Sequence, residues 1–188
     1  MKKSILLLIL CFSIIHLYAQ NDKKNMIGTH TSFGTGDYVL IKTLEGSYNT
    51  KYYYSIGLDY SRTLSERWDL CSGLEYTYNY MKMTPAFTGV KEPSRDVNLT
   101  LVTVPVQFKY SLGKLVYFNG GAFFNILNRK DRRDADIFLG VGLGIGLKHE
   151  FNSGIMLSLN PYTRLNGIGN SHCKYLQGGV SFGVGYKF

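Results

Sequence analysis

The chain has 188 residues, with 21 lysines and arginines against 13 aspartates and glutamates and a formal net charge of +8. That length suits one domain. The basic residues are scattered rather than gathered on one segment, and the chain opens on a secretion signal, so nucleic acid is not expected as a partner.

Met1-Lys2-Lys3 is a positive start, Ser4 to Ile15 is an apolar run, and Tyr18-Ala19 precedes the polar Gln20-Asn21. The run falls short of the roughly 20 apolar residues of a transmembrane helix and matches a secretory signal peptide. Cleavage is expected near Ala19, which makes 1–19 the leader and 20–188 the domain. Cys11 follows Leu10, where a lipoprotein signal places a small residue, so it reads as an ordinary cysteine of the signal core. Cys71 and Cys173 remain. The strand order below puts Cys71 near one end of the sheet and Cys173 in a loop at the other. A disulfide needs Cα atoms within about 7 Å, so two free thiols are expected.

Beyond the leader the hydrophobic period is two, punctuated by turn-rich segments. Eight strands follow, at roughly 25–34, 52–62, 68–82, 99–111, 115–127, 137–150, 155–166 and 175–188. In the first, Ile27 and Phe33 suit a lipid-facing row, but Thr29 and Thr31 suit it poorly. The second offers Tyr52, Tyr54, Ile56, Leu58 and Tyr60 outward. The third offers Trp68, Leu70, Leu74, Tyr76, Tyr78 and Tyr80. The fourth and fifth follow with Val102 to Tyr110 and Val116 to Ile126 on even positions. The sixth alternates Ile137, Leu139, Val141, Leu143, Ile145 and Leu147 with Phe138, Gly140, Gly142, Gly144 and Gly146. Glycine inside a strand costs roughly 0.5–1 kcal/mol relative to alanine. Four in register imply a tightly curved wall that makes room for large side chains from its neighbours.

The opposite rows are polar or small: Ser55, Gly57 and Asp59; Glu75, Thr77 and Asn79; Thr103, Gln107 and Lys109; Asn119 and Gly121; Ser158, Asn160 and Arg164. An apolar outside with a polar inside is the pattern of a membrane barrel. The fold class expected is all-β, an eight-stranded antiparallel up-and-down transmembrane barrel. Outer connectors are expected at 35–51, 83–98, 128–136 and 167–174, and short inner ones at 63–67, 112–114 and 151–154. Tyr60, Trp68, Tyr110, Phe151, Tyr186 and Phe188 would form an inner aromatic belt, and Tyr52, Tyr54, Tyr78 and Tyr80 an outer one.

Leu101-Val102-Thr103-Val104-Pro105-Val106-Gln107-Phe108-Lys109-Tyr110, then Tyr117-Phe118-Asn119-Gly120-Gly121-Ala122-Phe123, resembles the middle of the PorT-like family of small outer-membrane β-barrels. Asp134-Ala135-Asp136 before Gly140-Val141-Gly142, and the ending Gly183 to Phe188, extend the resemblance over most of the mature chain. It implies a barrel of eight strands in a Gram-negative outer membrane. A few relatives assist secretion across that membrane. No catalytic residue and no cofactor come with the family. The ending also resembles the C-terminal assembly signal of such barrels, carried here by Ser181, Gly183, Tyr186 and Phe188.

The inward charges are the candidate site: Asp59, Glu75 and Glu150 against Lys109, Lys148, Arg164 and Lys187. An eight-stranded barrel is just wide enough for its own side chains. A packed interior is therefore expected, with Tyr117, Phe123, Phe138 and Tyr162 filling it and Arg164 lying over the glycine row. Ser171, His172 and Cys173 are adjacent in an outer loop but lack a positioned acid, and His30 and His149 read as lone residues without ligand spacing. The expectation is a non-catalytic structural or surface-binding protein. An accessory subunit of a secretion machine is the alternative, and a lipid-modifying enzyme a remote one. Expected partners are outer-membrane lipid and lipopolysaccharide, the barrel assembly machinery, and secretion-system proteins. The outer loops, with Phe87, Lys91, Glu92, Arg95 and Asp96 in one and Arg129 to Asp134 in another, are the candidate binding surface.

Overall fold

The computed structural model describes residues 24–41, 47–84, 93–128, 136–168 and 173–188. The expected leader lies outside them, as do Phe87, Lys91, Glu92, Arg129 to Asp134, Ser171 and His172. Eight strands run in chain order: β1 (Asn25–Ile41), β2 (Ser47–Thr63), β3 (Trp68–Thr84), β4 (Arg95–Leu112), β5 (Val116–Asn128), β6 (Asp136–Glu150), β7 (Ile155–Ile168) and β8 (Cys173–Lys187). Each pairs antiparallel with its neighbours, and β8 closes on β1 to complete the barrel.

The closure spans the full height of the seam. Met26 pairs with Lys187 at one end and Ile41 with Cys173 at the other. Just beyond, Asn25 and Phe188 exchange two backbone hydrogen bonds of 3.1 and 2.8 Å. Among the described strands no edge is left without a neighbour, which is what a wall in hydrocarbon requires.

The alternation acts as expected. Ile56, Leu58, Leu74, Phe108, Phe124, Leu143, Leu157 and Val184 stand exposed on the outside, while Ser55, Glu75, Thr77, Asn79, Thr103 and Asn125 are buried within. The Thr31 hydroxyl donates to the Ser55 carbonyl at 3.0 Å. A threonine on the lipid-facing wall thus satisfies its own polar atom.

The four glycines of β6 make room for the interior. A Cβ on Gly142 would meet Phe123 at 2.8 Å and Arg164 at 2.9 Å, and one on Gly146 would run into the Tyr117 ring. Proline is accommodated by a local gap. The β3–β4 register skips Gly73 and Leu74, opposite Pro105, and the Ser72 hydroxyl donates to the Pro105 carbonyl at 2.9 Å.

The outer ends differ from expectation. β1 continues to Ile41 and β2 begins at Ser47, so the expected 35–51 connector narrows to 42–46. Thr35-Gly36-Asp37, the start of that expected connector, is strand, with a register irregularity between Gly34 and Gly36. Arg95 and Asp96 open β4 rather than sitting in a loop, and Cys173 opens β8. The physical reason is that the ladder's hydrogen bonds persist above the hydrocarbon, where polar residues suit both faces. Cys71 is buried and free near the short-connector end. Cys173 lies at the opposite end of the barrel.

An arginine at the bilayer midplane costs a barrel about 2–4 kcal/mol when it replaces a lipid-facing residue. Leu143, 70% exposed on the outer wall, is such a residue. Leu143→Arg should lower stability in lipid vesicles by that amount, read from urea unfolding. A Leu143→Arg protein that folds in water without detergent would exclude the membrane wall.

Candidate functional site

The inward rows of β1, β2, β3 and β7 bring four charged groups together at mid-height. Glu75 is 1% exposed. Arg164 reaches it from the far wall as a fork, Nη1 donating to Oε1 at 2.7 Å and Nη2 to Oε2 at 2.9 Å. Two parallel charge-assisted hydrogen bonds fix both side chains in one orientation. The Thr77 hydroxyl adds a third donor to Oε1 at 3.1 Å.

His30 stands between two carboxylates. Its Nε2 lies 3.2 Å from Glu75 Oε2 and its Nδ1 lies 2.7 Å from Asp59 Oδ2. Against two ionised carboxylates both contacts are hydrogen bonds only in the imidazolium form. Asp59, Glu75, His30 and Arg164 then sum to zero charge.

Aromatic rings wrap this cluster. The Arg164 guanidinium lies 4.4 Å from the ring centres of both Phe123 and Tyr162. The Tyr162 and Tyr53 hydroxyls meet at 2.8 Å across the bore. Towards the long-connector end the Tyr175 hydroxyl donates to Asn79 at 3.2 Å. On the next wall Asn125 accepts from Thr103 at 2.8 Å and donates to Asn166 at 3.0 Å. Side chains from opposite walls therefore touch across the bore.

Lys109, Lys148 and Lys187 are not part of this cluster. They line a recess of about 90 Å³ at the short-connector end, together with Glu66, Asp69 and Glu150. Lys187 pairs with Glu150 at 3.4 Å, Lys148 donates to Ser111 at 2.6 Å, and Lys109 lies 5.6 Å from the Tyr117 ring centre. The seven inward charges expected to form one site thus divide: Asp59, Glu75 and Arg164 meet in the middle, and the three lysines gather below with Glu150.

The exterior carries two aromatic levels. Tyr52 stacks on Tyr80 with ring centres 5.2 Å apart, and Tyr54 on Tyr78 at 5.3 Å. At the other end Trp68 meets Tyr110 at 4.9 Å.

Residues 4–188 match the family model described as the outer membrane protein beta-barrel domain. The chain belongs to that family. The protein is accordingly an outer-membrane barrel, in contact with the lipid of that membrane. Among solved structures, the outer membrane protein OprG from Pseudomonas aeruginosa is similar, with a TM-score of 0.55 at 11% identity, covering 88% of this chain and 96% of that one. The outer membrane protein AlkL in lipid bilayers is also similar, with a TM-score of 0.52 at 11% identity, covering 90% and 92%. At such identity the likeness concerns the fold. No curated protein sequence matches the chain.

His30 is the residue that sequence reasoning missed. It is not a lone histidine but the bridge between Asp59 and Glu75. The signal was its parity: it lies between outward Thr29 and Thr31, and Gly57 opposite leaves space for its ring. Among the described residues no three His, Cys, Asp or Glu side chains are arranged to hold a metal. His149 lies instead on the exposed wall against Phe151, with ring centres 4.6 Å apart.

Breaking a buried ion pair by removing one partner typically costs about 3–5 kcal/mol, because the other charge stays buried. Glu75→Ala should therefore destabilise the folded barrel by about that amount, while Glu75→Met with Arg164→Met costs much less. Unfolding of the variants in vesicles measures both. Equal loss in the single and double variants would deny the pair its role.

Proposed function

We propose that this protein is a non-catalytic barrel, structural or surface-binding, whose bore is closed by its own side chains. The supporting observation is the Glu75–Arg164 fork spanning the interior, flanked by His30, Asp59 and the Tyr53–Tyr162 contact. An ion crossing at this level would have to displace a neutral, hydrogen-bonded cluster walled by Phe123 and Tyr162. The mature domain is taken to begin after a leader at 1–19. Purified protein should leave planar bilayers electrically silent. Reproducible single-channel conductance would overturn the closed-bore reading.

A second reading is an accessory subunit of a secretion machine, as in PorT-like relatives. It draws on the charged recess at the periplasmic end, where Lys109, Lys148 and Lys187 face Glu66, Asp69 and Glu150. The secretome of a deletion strain separates the two. Retained cargo favours secretion; normal cargo with altered detergent sensitivity favours a structural role.

We further infer that the barrel assembly machinery reads β8 through its inner end, where Tyr186 and Phe188 alternate with Ser181, Gly183 and Lys187. Tyr186 is exposed on the outer wall, and Phe188 is tied to Asn25 at the seam. Phe188→Ala combined with Tyr186→Ala should lower the folded fraction recovered in outer membranes several-fold, read by heat-dependent gel mobility. Unchanged recovery would remove these residues from the signal.

A further inference from the structure

The outer rim of β2, β3 and β4 carries a group of charges that closing the barrel does not require. Lys51 sits at the register irregularity between Thr50 and Tyr52 and is exposed, whereas Thr50 beside it is buried. Lys82 is exposed on β3, on the same outward row as Tyr80 and Tyr78. Asp96 is its direct cross-strand partner on β4. Asp96 accepts from the Tyr80 hydroxyl at 2.6 Å and from Lys51 Nζ at 3.2 Å. Lys51 Nζ also lies 4.7 Å from the Tyr80 ring centre.

The arrangement holds Lys51 in place. One carboxylate, already taken by a phenol and an ammonium, positions Lys51 over Tyr80 beside Lys82. An ammonium has three donors, so Lys51 keeps donors beyond the one spent on Asp96. Two positive charges against one negative leave the patch cationic. Its height is equally specific. It stands directly above the stacked pairs Tyr52–Tyr80 and Tyr54–Tyr78, and aromatic belts mark the headgroup level. A group just outside that belt meets the phosphates of the outer leaflet. Lys174 on β8 is also exposed at the outer end, but no second lysine of the described outward rows stands beside it.

We propose that Lys51 and Lys82 form a binding site for the phosphorylated headgroup of lipid A, with Asp96 and Tyr80 as positioning residues and the tyrosine stack as a platform for the adjoining acyl chains. The inference rests on the surface-binding reading above and gives it a ligand. Charge complementarity carries it: two ammonium groups at phosphate height above an apolar wall suit a phosphate monoester attached to a lipid. Attraction of this kind weakens as salt rises.

Native mass spectrometry of the full barrel in detergent tests it, with bisphosphorylated lipid A as probe. The folded protein should retain that lipid. Lys51→Ala combined with Lys82→Ala should weaken retention about tenfold or more, from two headgroup-level lysines, while Lys174→Ala leaves it unchanged. Equal retention by the double variant, or equal loss in Lys174→Ala, overturns the site. Phosphatidylglycerol bound as tightly as lipid A would reduce the patch to a general anionic-lipid surface and likewise overturns it. The unsubstituted protein provides a second reading. Lipid A stripped of both phosphates should bind about tenfold more weakly, and equal binding ends the proposal. None of these outcomes depends on whether the bore conducts, so this site and the closed-bore reading fail separately.

Discussion

Everything in this molecule depends on a wall that must satisfy its own backbone. Hydrocarbon offers no partner to an amide, so every N–H and C=O at membrane depth has to be paired within the sheet. Closing β8 onto β1 achieves this, and the two bonds between Asn25 and Phe188 continue the pairing to the lower rim. Once the ring is closed, the usual arrangement of a protein inverts. Lipid receives Ile, Leu, Val and Phe, and the polar and charged residues turn to a narrow shared interior.

That interior is a problem of volume as much as of charge. Eight strands enclose a space that side chains alone can fill, and here they fill it unevenly. The β6 wall contributes almost nothing from Gly140 to Gly146. On either side of it β5 and β7 contribute Tyr117, Phe123, Tyr162 and Arg164, which occupy the space that Cβ atoms would have taken. The large residues need the glycines as much as the glycines need them. A guanidinium delivered this deep requires a counter-charge, and Glu75 meets it two-handed. His30 then links that pair to Asp59, so the packing of the rings and the cancellation of charge are one arrangement.

Where one face met lipid and the other the bore, the sequence was easy to read. The pattern from Ile137 to Leu147, or from Tyr52 to Tyr60, has one physical solution, and strand centres and facing follow from it. The strand ends above the membrane were not legible. Residues such as Thr35 and Asp37 face water whichever way they point, so alternation disappears while the hydrogen-bonded ladder continues. The site was half legible for a related reason. Parity places Asp59, Glu75, Lys109, Lys148 and Arg164 inside, but carries no information on height. The sorting into a middle cluster and a lower recess depends on register between strands far apart in the chain. His30 was obscured because its flanking threonines blur the outward row of β1, although Thr31 satisfies its hydroxyl on the Ser55 carbonyl and tolerates the lipid side.

The described strands are of unequal length. β1 to β4 run to 17 or 18 residues, whereas β5 to β8 have 13 to 15. A tilted strand climbs about 2.5 Å per residue, so an apolar band about 25 Å tall consumes roughly ten residues. The longer strands therefore carry several residues past the headgroups as paired ribbon. There the mouth carries a paired collar among the sugars above the lipid, and an antibody or phage approaching the cell would meet a surface set by the sheet.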